Sequence, residues 1–161
     1  MPANANEEPV HERELTITRD YHAPASLLFE AWSKPEHIKR WFGPVGYPVT
    51  MAEMDFRVGG TFRFAMTGPD GVQHTPFGGT YLEIIPNKKI VYDNGFEEPG
   101  AEKMVVTVTF DEHGGTTTLT MHTVFGSIAM YREHTGMGFR DGVNSGLDQL
   151  RDLVSEMQAV S

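Results

Sequence analysis

The sequence predicts an α+β chain: a curved antiparallel β-sheet wrapped around one long C-terminal helix, with two short helices after the first strand. Three observations carry this reading. Apolar and polar residues alternate with period two in short segments from residue 48 to residue 124, separated by Gly-, Pro- and Asn-containing turns, which marks strands with unlike faces. After them the spacing becomes helical, with Leu147, Leu150 and Val154 on one stripe. An antiparallel sheet needs one face covered, and only that last helix is long enough to cover it.

Glu14-Leu-Thr-Ile-Thr-Arg-Asp-Tyr21 alternates and forms the first strand. Pro24 suits the first turn of a helix, and Leu27, Leu28, Ala31 and Trp32 recur at helical spacing through Ser33, where Lys34-Pro35 stops it. A second short helix runs from Glu36 to Trp41 and ends near Gly43-Pro44. Strands are expected over 48–58, 61–67, 74–85, 89–96, 103–111 and 116–124. The turns between them fall at Gly59-Gly60, Pro69-Asp-Gly71, Pro86-Asn87, Glu98-Pro-Gly100 and Gly114-Gly115. Connections this short imply an antiparallel meander.

The hairpin at Gly59-Gly60 is the most informative segment. Met54, Phe56 and Val58 share one face of its first strand, with Glu53, Asp55 and Arg57 opposite; Phe62, Phe64 and Met66 share one face of the second. An aromatic side and a charged side suit the wall of an apolar cavity. In the last helix, sketched by Asp141, Val143, Leu147, Leu150, Val154 and Met157, Gly142 and Gly146 each lower helicity by about 1 kcal/mol relative to Ala. Small residues there let another element, or a ligand, lie close.

The 161 residues fit one domain over 13–161, preceded by a loose acidic tail over 1–12. A chain of this size buries roughly 70% of its unfolded surface without staples. The formal net charge of −9 argues against nucleic acid, whose phosphates need clustered Lys and Arg, and against anionic membrane surfaces. No cysteine is present, so disulfides and thiolate chemistry are excluded, as fits a reducing cytoplasm. The first residues lack a basic start and an apolar run, so no secretory segment is expected, and no apolar run approaches the roughly 20 residues of a membrane span.

The chemistry-bearing residues are scattered. Of seven histidines, His74, His122 and His134 fall near the expected cavity mouth. No His-x-His or His-Glu-x-x-His spacing occurs, so neither metal nor cofactor is expected. Alternation turns His122 away from Met121 and Phe125. Glu53, Asp55 and Asp93 can pair with Arg57 and Arg63, either in solvent or as a polar patch on the cavity rim. Arg132, Glu133 and His134 could form a lid or entrance. No Gly-x-Ser-x-Gly elbow or phosphate-binding glycine motif is present. The expected cavity walls are Trp41, Phe42, Met54, Phe62, Phe64, Phe77, Tyr92, Met121, Phe125, Met130, Phe139 and Val143, an apolar set of the kind that surrounds small ligands.

Several segments together resemble a known family. They are Arg19 to Ala23-Pro24, Leu28-Phe29-Glu30-Ala31-Trp32, Pro35-Glu36, Trp41-Phe42-Gly43-Pro44 and Asp55-Phe56-Arg57-Val58-Gly59-Gly60, then Gly78-Gly79-Thr80-Tyr81-Leu82-Glu83-Ile84, Pro86, Val106-Thr107-Val108, Thr116 to Thr120 and Gly136-Met137. The chain resembles the helix-grip superfamily of START domains, pathogenesis-related plant proteins and polyketide cyclases. Within it, the chain is most similar to the C-terminal domain of activators of the Hsp90 ATPase. Gly138-Phe139 stands where relatives commonly have Gly-Trp. The resemblance implies a helix-grip fold with a cavity between sheet and C-terminal helix. It also implies three roles: binding a small hydrophobic or aromatic molecule, a cyclase- or hydrolase-like reaction in the same cavity, or contact with an Hsp90-type chaperone. Exposed strand edges and apolar residues near the cavity mouth leave room for a homodimer.

Overall fold

The structure, a computed structural model, describes residues 8–160. In chain order the elements are β1 (Glu14–Tyr21), α1 (Ala25–Ser33), α2 (Pro35–Trp41), β2 (Val49–Met54), β3 (Thr61–Met66), β4 (Phe77–Ile85), β5 (Lys89–Phe96), β6 (Met104–His113), β7 (Thr116–Val124), α3 (Ile128–Gly136) and α4 (Phe139–Ala159). The strands form one seven-stranded antiparallel sheet in the order β1-β7-β6-β5-β4-β3-β2. Strands β2 to β7 are a meander, and β1 closes the order by pairing with β7. The sheet curves around α4, which is the helix-grip arrangement.

Each local choice has a physical reason. Pro24 precedes α1 in extended geometry, and the first amide of the helix, Ala25 N, donates to Glu112 Oε1 at 2.7 Å. Glu112 therefore caps α1 from a strand 87 residues away, in a stretch of β6 that runs two residues past its expected end at Asp111. Trp41 of α2 packs edge-on against Trp32 of α1 at 4.4 Å, and its indole N–H donates to the Ala31 carbonyl at 2.9 Å. The second half of α4 buries Leu147, Leu150, Leu153 and Val154, each worth roughly 1.5–3 kcal/mol of apolar burial.

Three sequence expectations are corrected. The strand expected over 48–58 stops at Met54, because the chain folds into a tight turn. There Arg57 N donates to Asp55 O, Gly60 N to Arg57 O, and Gly59 N to Tyr81 O of β4. Val58 is consequently exposed, while Phe56 tucks between Phe29 and Tyr81 at ring distances of 5.6 and 5.0 Å. The strand expected from residue 74 starts at Phe77, since Pro76 has no amide hydrogen for a ladder. Residues 128–136 form α3, an element the sequence reading lacks, capped by Ser127 Oγ accepting from Met130 N at 3.0 Å. Of the tail expected over 1–12, residues Val10–Glu12 form a 3₁₀ turn, and the Glu8 carboxylate accepts from Ile128 N. Residues 1–7 lie outside the described residues.

The turn before β3 depends on Gly60. A Cβ there would sit 2.0 Å from the Asp55 carbonyl oxygen, a clash only backbone movement could relieve. Gly60→Ala should destabilise the protein by roughly 2–4 kcal/mol, measured as a lowered midpoint of urea unfolding with an unchanged slope.

Candidate functional site

The curved sheet and α4 meet only over half the helix. From Gly146 onward α4 is seated. Its Gly146 approaches the Trp41 carbonyl so closely that a Cβ would lie 3.1 Å from it, and Gln149 Nε2 donates to the Gly43 carbonyl at 2.7 Å. Ser145 Oγ accepts from Val45 N at 2.9 Å. On the other side, the Tyr21 hydroxyl donates to the Leu147 carbonyl at 2.9 Å and Arg19 pairs with Asp148 at 2.5 Å. The first two turns of α4 stand away from the sheet. A cavity of about 430 Å³ fills the gap, within the roughly 300–1,000 Å³ range of small-molecule sites.

Eight of the twelve expected wall residues line this cavity: Trp41, Phe42, Phe77, Tyr92, Met121, Met130, Phe139 and Val143. The other four do not. Phe62 and Phe64 lie behind Phe42 and Tyr92, at 5.4 Å (Phe42–Phe64) and 5.5 Å (Phe62–Tyr92), around a separate void of about 10 Å³. Met54 pairs with Phe62 across β2 and β3 and packs on the core there. Phe125 is fully buried against Tyr131, His134 and Phe139, where α3 covers the end of β7. Inward-facing aromatic residues thus form two layers. Phe42 and Tyr92 separate the packed layer from the hollow one.

Residues outside the expected set complete the wall. Asn94, Gly95 and Phe96 of β5, Met104 and Val106 of β6, Thr123 of β7, Met66 of β3 and Gly142 of α4 all line it. Alternation along β5 and β7 was the signal that could have found Asn94 and Thr123. Gly142 presents open space, since a Cβ would meet no heavy atom within 4 Å. The two α4 glycines therefore do different work: Gly146 admits a neighbouring backbone, and Gly142 leaves volume. At the mouth are Tyr47 and His74, whose rings meet edge-on at 5.7 Å, with the exposed Phe96 beside Phe77.

Of the three histidines near the expected mouth, His74 and His134 line the cavity and His122 faces outward, 2.6 Å from Glu14. His134 Nδ1 lies 2.9 Å from the Met130 carbonyl, which can only accept, so Nδ1 carries a proton and Nε2 of the neutral ring remains an acceptor. Arg132 and Glu133 beside it are exposed. Among the described residues no cluster of three or more His, Asp or Glu side chains could hold a metal ion. The charged residues of the Gly59-Gly60 hairpin sit on the convex face. Arg63 grips Glu97 through two hydrogen bonds of 2.6 and 3.0 Å, which hold the Glu97 carboxyl below its ordinary range, and Arg57 pairs with Asp55 at 2.8 Å. Asp93 lies 3.7 Å from Lys103 and accepts from Thr80 N.

The profile of the Activator of Hsp90 ATPase homolog 1-like protein family matches residues 22–155. The chain belongs to that family. Solved structures similar to this family member include a protein of Nitrosomonas europaea, 24% identical over 92% of this chain and 97% of its own, with a TM-score of 0.81. An Arthrobacter aurescens protein is 24% identical over 93% and 90%, with a TM-score of 0.84. One from Staphylococcus epidermidis is 28% identical over 90% and 91%, with a TM-score of 0.75. No curated protein matches the chain. Among the described residues no helix is long and apolar enough to cross a membrane.

Three tyrosine hydroxyls in the core and site are held neutral. Burial pushes Tyr21, Tyr81 and Tyr92 above the ordinary phenol value, with Arg19 opposing it at Tyr21. The Trp32 indole N–H exerts a smaller opposing effect on Tyr92, although it misses hydrogen-bond geometry and has no partner among the described residues. Because these folded-state values lie above the unfolded one, their contribution to stability is complete below pH ~10 and is lost as pH rises beyond it. Thermal unfolding between pH 8 and 12 should therefore show a falling midpoint above pH ~10, accompanied by phenolate absorbance released in the unfolding step.

Proposed function

We propose that this protein binds a small hydrophobic or aromatic molecule between its sheet and the first half of α4. The observation that carries the reading is a cavity of about 430 Å³ kept open by Gly142, at a position where Ala or Leu would stabilise the helix. A simple core would fill such a space, because unfilled volume lowers stability. The lining is aromatic and Met-rich, surfaces that adapt to flat apolar ligands. A reducing compartment such as the cytoplasm suits a cysteine-free chain of this kind.

A cyclase- or hydrolase-like reaction with carboxylates as acid and base needs an Asp or Glu in contact with the void. None of the lining residues is Asp or Glu, so acid–base chemistry of that kind has no side chain to perform it. Family membership supports a second reading, contact with an Hsp90-type chaperone; its measure is stimulation of that chaperone's ATPase by saturating protein.

The decisive experiment is fluorescence titration with the neutral probe N-phenyl-1-naphthylamine. The wild type should bind it with a blue-shifted, enhanced emission. Gly142→Leu should weaken that binding at least about tenfold by filling the space, while its unfolding midpoint holds or rises, since Leu is favoured over Gly in a helix by close to 1 kcal/mol. Equal binding by both proteins would sink the reading.

A further inference from the structure

Two voids of very different size lie on the concave side of the sheet. The large cavity of about 430 Å³ opens at Tyr47 and His74, and the small one of about 10 Å³ lies among Trp32, Ile38, Phe62, Phe64 and Tyr81. Among the described residues, Phe42 and Tyr92 alone border both. These two rings are the floor of the large cavity. Tyr92 belongs to β5, where its ladder partners are Tyr81 of β4 and Val106 of β6. Phe42 belongs to no strand: it follows α2 and enters the gap from the side.

The Phe42 backbone is nevertheless held in place. Its amide donates to the Ile38 carbonyl at 3.0 Å. Trp41 before it is anchored through its indole to the Ala31 carbonyl, and the Gly43 carbonyl after it accepts from Gln149 of α4. Gly43 has φ +108°, and a Cβ there would lie 2.6 Å from the Tyr47 carbonyl oxygen, so the chain takes this path only with glycine. The Phe42 ring stacks on Phe77 at 6.2 Å and meets Phe64 edge-on at 5.4 Å. A molecule entering from the mouth meets that ring at a set depth.

The lining limits what can enter. None of its residues is Asp, Glu, Lys or Arg, so a charged group inside would lose its hydration with no counter-charge to replace it. An apolar cavity of about 150 Å³ holds one benzene, so this one accommodates roughly two to three rings, or a chain of the same volume. From the shared floor and the uncharged wall we infer that the bound molecule is apolar over its buried length and that Phe42 is the residue that sets that length. The inference rests on the ligand-binding reading above and adds its size limit. Gly142 leaves volume on the α4 side, and Phe42 closes the site toward the packed layer. Without the Phe42 ring the two voids would join beside Tyr92; without the Phe64 ring, Phe42 still stands in front.

The test is displacement of N-phenyl-1-naphthylamine by straight-chain 1-alkanols from hexanol to dodecanol, with the probe affinity measured separately for each protein. These share one neutral head group and differ only in length. In the wild type each added methylene should tighten binding about fourfold until the chain meets Phe42, and longer alcohols should gain nothing further. In Phe42→Ala the rise should continue for about two more methylenes, so that the longest alcohols, relative to hexanol, bind roughly fifteenfold tighter than in the wild type. Phe42→Leu should extend the rise by less, and Phe64→Leu should stop at the wild-type length. Cooperative thermal unfolding shows which variants fold, and Phe42→Leu carries the test where Phe42→Ala does not. Three results would overturn the inference and leave the binding reading standing: a rise that ends at the same length in the wild type and the folded Phe42 variants, a wild-type rise that never levels off, or an equal extension in Phe64→Leu. Failure of the wild type to bind the probe and every alcohol would remove both.

Discussion

The seating of α4 governs the rest of this structure. An α-helix is a stiff rod rising 1.5 Å per residue, so fixing part of it fixes where the remainder must lie. The fixed part is the stretch around Gly146, held on one side by the Trp41 and Gly43 carbonyls and on the other by Tyr21 and Arg19 of β1. A Cβ at 146 would crowd the Trp41 carbonyl oxygen at 3.1 Å, so glycine there lets the two backbones meet without displacement. With that stretch clamped between α2 and the first strand, the preceding two turns cannot settle onto the middle of the sheet. The cavity is the geometric consequence of the clamp.

Around that hollow the molecule separates its chemistry by face. Strand alternation sends Tyr92, Met104, Val106 and Met121 inward, and sends Arg63, His122 and Glu14 outward, where Arg63 meets Glu97 just past β5 and His122 meets Glu14 in exposed or half-exposed pairs. Exposed pairs of this kind contribute little to stability, with a median near 0–1 kcal/mol. Their physical role is to fix which face meets water, because a slip of one residue in register would bury them. The concave face is left almost free of polar groups, so those that remain there are informative.

The site also sets limits on mechanism. The cavity wall at Phe42, Phe77, Tyr92 and Phe139 offers area and shape rather than charge. His134 is turned by the Met130 carbonyl so that only Nε2 is free, and Tyr92 is kept as a neutral phenol by burial. Family membership and the solved relatives establish the scaffold, and a scaffold hosts many activities; the character of this site comes from its own side chains.

By itself the sequence determined the periodic features. The strands at Glu14–Tyr21, Lys89–Phe96 and Thr116–Val124 begin and end where alternation and turn residues place them, because strand faces and tight turns are local properties of the chain. The long helix and its Leu147–Leu150–Val154 stripe were legible for the same reason. Tertiary structure alone decided the depth of each aromatic residue. Phe62 and Phe77 look alike in sequence, yet one fills the core and the other borders the hollow, according to where Phe42, just after α2, inserts. Residues 128–136 read as a connection because their apolar side chains form no stripe; Ser127 and the space above Phe125 make them helical. Period two tells which way a side chain points. It carries no information about how far away the facing layer stands, and that distance separates a packed core from a binding site.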